Sequence, residues 1–334
     1  MKRIALTLLV LLPALVVFMP AVLVYYLADS ASDPLPSPKP EEDPDQPSAS
    51  SLQIHVYRTE QQRVETVPLD RYLEGVVAAE MPAEFELEAL KAQAMAARTY
   101  IIRRLAAGRF DDVPEGAHVL DTVKHQVYLD EQQQKIRWGS DHEWKSQKIS
   151  QAVSETRGMI LTYQGKPIDA TFFSTSNGFT EDAEDYWQHS IPYLQSVASP
   201  WDQESPRFRE QVVMDVAELE QKLGTRLDLT ASSAGNWYTV LERTTGNRIG
   251  RVRIGSKVYS GREVREKLGL NSTAFTMQLS SGRVVITTKG YGHGVGMSQW
   301  GANGMAKSGK SAEQIVKYFY QGVDVQNYQQ VIKI

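Results

Sequence analysis

The chain has 334 residues, a net charge of −4 at pH 7, a sequence pI near 5.9 and no cysteine. Clustered Lys and Arg, which phosphate binding requires, are missing, and this argues against a nucleic-acid-binding protein. The lack of cysteine excludes disulfides, thiol catalysis and Cys-ligated zinc, so an ordinary hydrophobic core must stabilise the fold.

A long apolar run begins the chain. No charged residue occurs from Ile4 to Leu27, and Lys2 and Arg3 precede the run. About 20 apolar residues cross a bilayer as a helix, and the basic flank stays in the cytoplasm. Residues 1–28 are therefore predicted to be a cytoplasmic tip and a retained single-pass anchor in the cell membrane. A cleaved signal peptide is the alternative, but its apolar region is usually about 7–15 residues long, and no clear A-x-A site follows.

A polar segment follows the apolar run. Residues 29–50 are rich in Pro, Ser and acidic side chains and are almost devoid of apolar ones. Such a composition favours an extended, hydrated linker. The folded part is then an extracytoplasmic domain over 51–334, in which residues 202–283 resemble a smaller inserted lobe.

Strand and helix patterns alternate irregularly along the folded part. LQIHVY and VETV predict a hairpin, and MILTY with KPIDATFF predicts a second one. Helices are predicted from near Leu69 to Pro82, from about Glu86 to Gly108, around 143–156, and over 311–320. Regular βαβ order is missing, so the predicted fold class is α+β, with a mainly antiparallel sheet and packed helices.

One carboxylate lies on an apolar helical stripe. Leu69, Leu73 and Val76 recur at helical spacing, and Glu80 falls on the same face. A partly desolvated glutamate has a raised pKa and can act as a general acid. A structural role, with Glu80 neutralised by a buried Arg such as Arg98, is equally compatible with the spacing. Glu88 lies about 120° from the centre of its own helical stripe and is predicted to face water.

Other polar residues suggest a binding surface. The loop from Ser174 to Asp182 is expected at a strand end, and GYGHGVGMSQWGANGMA (residues 290–306) places His293 among glycines. His293 has no second His nearby, so hydrogen bonding is favoured over metal binding, and no metal or cofactor is expected. Ser174 or Ser176 could be a nucleophile, but no G-x-S-x-G elbow is present.

Three long motifs resemble the stage II sporulation protein D family, which is related to amidase enhancers. These motifs are GVVAAEMPAEFELEALKAQAMAARTY, then FFSTSNGFTEDAEDYW with PYLQSV, and finally GYGHGVGMSQWGANGMA. They occur in this order and span nearly the whole of 51–334.

The resemblance implies a peptidoglycan lytic transglycosylase that acts on peptide-stripped glycan strands at the sporulation septum and engulfing membrane, beside stage II sporulation proteins P and M. It implies Glu80 as the catalytic acid. It also implies a groove formed by the remaining motif residues, which are Arg98, Ser174, Ser176, Asn177, His293, Ser298 and Gln299. A non-enzymatic protein that binds glycan and activates an amidase is the alternative.

Overall fold

The computed structural model describes residues 52–229 and 237–332. The predicted anchor and linker lie outside the described residues. Among the helices that are described, none has the length and apolar character needed to cross a membrane. The chain from Leu52 onwards forms one compact unit.

Helices and strands are mixed along the described residues. The helices are α1 (Leu69–Glu80), α2 (Leu87–Ala107), α3 (Glu131–Trp138), α4 (His142–Glu155), α5 (Ala183–Trp187), α6 (Val216–Leu223), α7 (Gly261–Leu268), α8 (Gln299–Lys307), α9 (Ala312–Phe319) and α10 (Tyr328–Val331). The strands are β1 (Gln53–Arg58), β2 (Arg63–Pro68), β3 (Val119–Leu120), β4 (Met159–Tyr163), β5 (Lys166–Pro167), β6 (Phe172–Phe173), β7 (Arg209–Asp215), β8 (Tyr238–Arg243), β9 (Ile249–Ile254), β10 (Lys257–Ser260), β11 (Phe275–Ser280), β12 (Arg283–Lys289), β13 (Met297–Ser298) and β14 (Asp324–Asn327).

The strands form several small sheets and not the one larger sheet that was expected. Their orders are β2-β1-β3, β10-β9-β8, β11-β12-β7, β13-β6 and β14-β4-β5. Most neighbours are antiparallel, whereas β1 with β3 and β13 with β6 are parallel. The α+β class is therefore confirmed.

The main core is helical. Helices α1, α2 and α4 pack against one another, and α8 and α9 pack on α2. Helix α1 follows Pro68 directly, a residue suited to a helix start because its φ is already fixed. Helix α2 ends at Gly108, whose φ of 60° is left-handed and costs glycine little. The predicted bounds of both helices are confirmed.

The second predicted hairpin is only partly correct. Strand β4 turns into β5 as expected, but β5 ends at Pro167. The Asp169 N–H donates to Tyr193 Oη at 3.0 Å, and the chain then leaves this sheet. Phe172 and Phe173 pair instead with Met297 and Ser298 of β13. This crossover brings the loop after β6 to the start of α8.

The region 202–283 contributes most of a second hydrophobic cluster. Its buried residues run from Met214 to Ile286 and come mainly from the two three-stranded sheets of this region and from α6 and α7. A separate cluster is what an inserted lobe would need, whereas its independence as a domain stays a prediction.

A close backbone approach fixes the segment beside the end of α1. The Leu129 N–H donates to the Gly75 carbonyl at 3.2 Å. A Cβ placed on Gly75 would overlap the Tyr128 ring and lie 2.6 Å from the Leu129 carbonyl oxygen. Only glycine allows segment 127–129 to pack this closely on the helix.

Replacement of Gly75 by Ala should therefore destabilise the fold. Ala favours the helix by up to about 1 kcal/mol, but the overlap forces a backbone shift that costs typically about 1–3 kcal/mol. Urea unfolding of Gly75→Ala should show a net loss of stability. Gly250→Ala is the matched control, since its Cβ would meet nothing closer than 3.4 Å. Equal unfolding midpoints for the two variants would contradict the packing argument.

Candidate active site

An open cleft lies between the end of α1, strand β6 and the start of α8. Its volume is about 560 Å³. The lining residues are Ala79, Glu80, Met81, Pro82, Phe85, Arg137, Phe172, Phe173, Ser174, Pro206, Arg207, Tyr291, Gly292, His293, Gln299 and Trp300. The cleft therefore brings together Glu80, Ser174, His293 and Gln299 from the predicted set.

Glu80 is the one carboxylic acid in the cleft wall, and it is mostly buried. Burial raises its pKa to about 7, although hydrogen bonds from the Val127 backbone and the Gln299 side chain act in the opposite direction. The Val127 N–H lies 3.3 Å from Glu80 Oε1. A carboxyl with this pKa holds its proton for a large fraction of the time near neutral pH.

Gln299 is the first residue of α8. Ser298 caps this helix by accepting a hydrogen bond from the Gly301 N–H at 3.2 Å. The capped start fixes the direction in which the Gln299 side chain leaves the helix. Gln299 is thereby held against the Glu80 carboxyl.

Ser298 itself is fully buried and does not reach the cleft surface. Its hydroxyl donates to Asp202 Oδ1 at 2.5 Å. The predicted role of Ser298 as a groove residue is therefore wrong. Ser298 instead stabilises the cleft indirectly, because its hydrogen bond to Asp202 fixes the start of α8.

The loop after β6 is divided between surface and interior. Ser174 borders the cleft, and its hydroxyl lies 3.2 Å from Thr175 Oγ1. Ser176 is fully buried, its N–H donates to Asp202 Oδ1 at 2.6 Å, and its hydroxyl lies 3.4 Å from the Ser199 carbonyl oxygen. Asn177 donates to the Gly246 carbonyl at 3.0 Å and is not in the cleft wall. Ser174 keeps its predicted place in the groove, whereas Ser176 and Asn177 shape the loop.

Neither candidate nucleophile has an activating partner of the expected kind. The described hydrogen bonds of Ser174 and Ser176 go to hydroxyls, backbone groups and Asp202, and none goes to an imidazole. A hydrolytic serine needs an adjacent base such as histidine. The geometry therefore does not favour the serine-hydrolase reading.

His293 lies at the cleft edge with both ring nitrogens engaged. Nδ1 accepts from the Val295 N–H at 3.1 Å, so Nε2 carries the proton and lies 3.2 Å from the Phe172 carbonyl oxygen. Burial and the nearby Arg265 lower its pKa to about 4. His293 is therefore neutral at physiological pH and joins the glycine-rich loop to β6, which agrees with the hydrogen-bonding role favoured for it.

Arg98 does not lie in the cleft. Its side chain is fully buried, and the guanidinium donates to the carbonyls of Val153 and Thr156 at 3.1 and 2.7 Å. These carbonyls belong to the end of α4, where a cation offsets the unpaired acceptors. The prediction that Arg98 binds substrate is therefore wrong, and so is the alternative that it neutralises Glu80.

Glu88 is also separate from the cleft. One of its carboxylate oxygens pairs with Lys91 at 2.7 Å, and the other accepts from the Ala312 N–H at 2.6 Å. An acidic side chain at a helix N-terminus satisfies free N–H groups. Glu88 thus caps the start of α9. Glu80, which lies in the cleft wall, is the better candidate for a general acid.

The cleft contains aromatic and cationic residues that the sequence reading missed. Phe85 and Trp300 meet edge to face, with ring centroids 5.0 Å apart. Arg207 stacks over Tyr291 at 4.4 Å, and Arg137 lies near the end of α1. Trp300 and Tyr291 belong to the glycine-rich motif, so the motif could have identified them as candidate cleft residues. Arg137 and Arg207 come from unremarkable segments, and only the fold brings them to the cleft.

A metal site and a second cavity are the other candidates for a functional site. Among the residues that the structure describes, no group of three or more His, Asp or Glu side chains could hold a metal ion. A second cavity of about 400 Å³ lies around His55 and His118. It contains none of the predicted site residues.

The fold and the cleft together define a class. The chain is an α+β protein with an open, aromatic and polar cleft that is centred on one protonatable carboxyl. A family model for stage II sporulation protein (SpoIID) matches residues 57–163.

Whole-chain similarity extends this match. The chain is 50% identical over 277 residues to stage II sporulation protein D of Bacillus subtilis, covering 83% of this chain and 80% of that protein. It is also 50% identical over 276 residues to stage II sporulation protein D of Bacillus amyloliquefaciens, covering 83% and 79%. The amidase enhancer of Bacillus subtilis is 29% identical over 312 residues, which cover 77% of this chain and 40% of that protein. The chain therefore belongs to the stage II sporulation protein D family, as its motifs indicated.

The raised pKa of Glu80 predicts a pH-dependent stability. Its folded pKa of about 7 exceeds the ordinary value of 4.5 for a glutamate, so the protonated form stabilises the fold. This contribution is complete below pH 4.5 and is lost as the pH rises through 7. Glu80→Gln lacks the cost of ionisation, so it should gain stability relative to the unsubstituted chain, by up to about 3 kcal/mol between pH 4 and pH 8. Urea unfolding across this range measures the difference, and a constant difference would contradict the burial argument.

The hydrogen bonds of His293 predict one neutral tautomer. With a pKa of about 4, the ring should remain neutral with its proton on Nε2 from pH 5 to pH 8. Nitrogen-15 shifts of histidine-labelled protein report the tautomer directly. An imidazolium spectrum for His293 at pH 6 would show that the loop is not held as described.

Proposed function

We propose that the chain is a peptidoglycan lytic transglycosylase. It cleaves the glycosidic bond between N-acetylmuramic acid and N-acetylglucosamine and leaves a 1,6-anhydro-muramyl end. The proposal rests on one observation: the carboxyl of Glu80 is mostly buried, has a pKa of about 7 and lies in the wall of an open cleft.

A single acid fits this reaction better than ordinary hydrolysis. Glycosidases that hydrolyse their substrate generally use two carboxylates, one as the acid and the other as nucleophile or base. The described cleft wall contains Glu80 and no other Asp or Glu. In a lytic transglycosylase the substrate supplies its own nucleophile, so a second carboxylate is not required.

The proposed mechanism has two proton transfers at one carboxyl. Protonated Glu80 donates its proton to O4 of N-acetylglucosamine as the C1–O4 bond breaks. The 6-hydroxyl of N-acetylmuramic acid then attacks C1, and the Glu80 carboxylate takes the hydroxyl proton. The acid is thereby regenerated without water, and the intramolecular attack avoids the entropy cost of bringing in a second reactant.

The other cleft residues suit a sugar substrate. Gln299 and Ser174 offer neutral hydrogen-bonding groups for hydroxyl and acetamido substituents. Tyr291, Trp300 and Phe85 present apolar rings against which sugar faces can pack. The hydrogen bond from neutral Gln299 lowers the pKa of Glu80 only in part, since the value remains about 7, whereas a cation in contact would lower it further.

The biological setting is part of the proposal. Family membership, together with the apolar run at residues 4–27, supports a membrane-anchored protein that acts outside the cytoplasm at the sporulation septum and engulfing membrane. We propose that it cleaves peptide-stripped glycan and acts beside stage II sporulation proteins P and M. In this proposal protein P is the amidase that strips the peptides.

Product analysis of Glu80→Gln tests the mechanism. General acid catalysis contributes typically about 10²–10⁴-fold, so the variant should form anhydro-muramyl ends at least about 100-fold more slowly. Because the reactive form of Glu80 is protonated, kcat/KM of the unsubstituted protein should also fall above about pH 7. Mass spectrometry of digested glycan strands counts the ends.

Glu88→Gln is the matched control for this experiment. It removes a carboxylate of the same kind from outside the cleft, so the rate should remain near that of the unsubstituted protein. Equal rates for Glu80→Gln and the unsubstituted protein would overturn the assignment of the acid.

A second candidate is a non-enzymatic activator of a cell-wall amidase. The observation that favours it is the 29% identity to an amidase enhancer. This function predicts glycan binding and faster amidase turnover without anhydro-muramyl ends. If the chain is such an activator, Glu80→Gln should still stimulate the amidase. If the chain is a transglycosylase, the purified protein alone should form anhydro-muramyl ends.

A further inference from the structure

The charge of the cleft is not matched to a neutral glycan. Arg137 and Arg207 are both in its wall, and Glu80 is the one acidic residue of that wall. When Glu80 is protonated, as the proposed reaction requires, the cleft wall carries two positive charges. A substrate with an anionic group close to the scissile bond would complement this wall.

The guanidinium of Arg207 is oriented by its neighbours in a way that suits an anionic ligand. Its guanidinium lies 4.4 Å from the centroid of the Tyr291 ring, and its backbone N–H donates to Ser205 Oγ at 3.2 Å. Stacking fixes the plane of a guanidinium and leaves its edge available for bidentate hydrogen bonds to a carboxylate.

The existing partner of Arg207 is weak. Glu210 Oε1 lies 4.0 Å from Arg207 Nε, which is too long for a hydrogen bond, and the Arg207 side chain is 53% exposed. The other Glu210 oxygen accepts a hydrogen bond from Asn271. Substrate can therefore reach the Arg207 edge without first breaking a close ion pair.

Arg137 has a different environment. Its Nη1 lies 3.3 Å from the Ala78 carbonyl oxygen and 3.5 Å from that of Ala79, both near the end of α1. Part of its donor capacity therefore goes to unpaired helix carbonyls. Of the two cations, Arg207 is the better placed for a ligand carboxylate.

We propose that Arg207 binds the free lactyl carboxylate of N-acetylmuramic acid, and so makes the cleft selective for glycan from which the stem peptide has been removed. This inference rests on the proposed function, because it takes the glycan strand as the ligand. In a peptide-bearing strand the same carbonyl carbon is part of an amide, which has neither the charge nor the second acceptor oxygen for a bidentate contact.

The test uses two preparations of one glycan. Peptide-free strands are divided, and in one half the lactyl carboxylates are converted to primary amides with carbodiimide and ammonia. Binding is measured by calorimetry with Glu80→Gln protein, so that no strand is cleaved. We expect about 10-fold tighter binding of the carboxylate strands at low salt, and a smaller difference at high salt.

Arg207→Gln in the same background should bind the two preparations equally. Arg209→Gln is the matched control, since it removes the same charge two residues away, outside the cleft wall, and should keep the preference. Thermal unfolding midpoints close to that of the parent establish that the variants are folded.

Each outcome decides the proposal. Equal binding of both preparations by the parent, or a preference that persists in Arg207→Gln, would overturn it. Loss of the preference in Arg137→Gln but not in Arg207→Gln would assign the carboxylate contact to Arg137 and would also overturn the proposal. The enzyme proposal is judged separately by anhydro-muramyl ends, so a binding preference without cleavage would refute the transglycosylase and leave the carboxylate contact standing.

Discussion

The buried carboxylate of Asp202 is the interaction on which the cleft depends. It is fully buried and accepts hydrogen bonds from Ser199 Oγ at 2.5 Å, Ser298 Oγ at 2.5 Å and the Ser176 N–H at 2.6 Å. Burial raises its pKa, and the serine donors oppose this shift. A buried acid that lost these donors would cost several kcal/mol, so the three segments that supply them are held in one arrangement. That arrangement places Ser174 and Gln299 on the cleft surface.

Glu80 owes its properties to the place where α1 ends. The apolar stripe carries the side chain towards the interior, and Pro82 prevents the helix from continuing. Met81 adopts an extended conformation, so the chain turns away from the helix beside the cleft. The carboxyl is therefore desolvated by the core while remaining accessible from the cleft. A negative charge at a helix C-terminus is also disfavoured, which acts in the same direction as burial.

The local features of this structure could be predicted from the sequence, but its tertiary contacts could not. Helical periodicity and the positions of Pro82 and Gly108 were sufficient for α1 and α2, and the apolar stripe singled out Glu80. Arg98 shows the limit, because its spacing is compatible with a groove residue, a partner for Glu80 or a cap for α4. Only the packing of α4 decides among these roles. Asp202, Arg137 and Arg207 lie far in sequence from Glu80, and no local pattern connects them to it.

The packing of the glycine-rich loop explains why His293 is not available for proton transfer. A Cβ on Gly294 would lie 2.7 Å from Cζ of the fully buried Arg248, whose charge faces Glu181 at 3.6 Å. The positive φ of 94° at Gly294 and this close approach both require glycine. The loop is thus packed against a buried ion pair on one side, and His293 is bonded to β6 on the other. A histidine held neutral by two hydrogen bonds has no free lone pair for a substrate proton and resists protonation, so His293 shapes the cleft and is poorly suited to act as an acid or base. Burial shifts the pKa of both His293 and Glu80, and of these two only Glu80 has a value near 7.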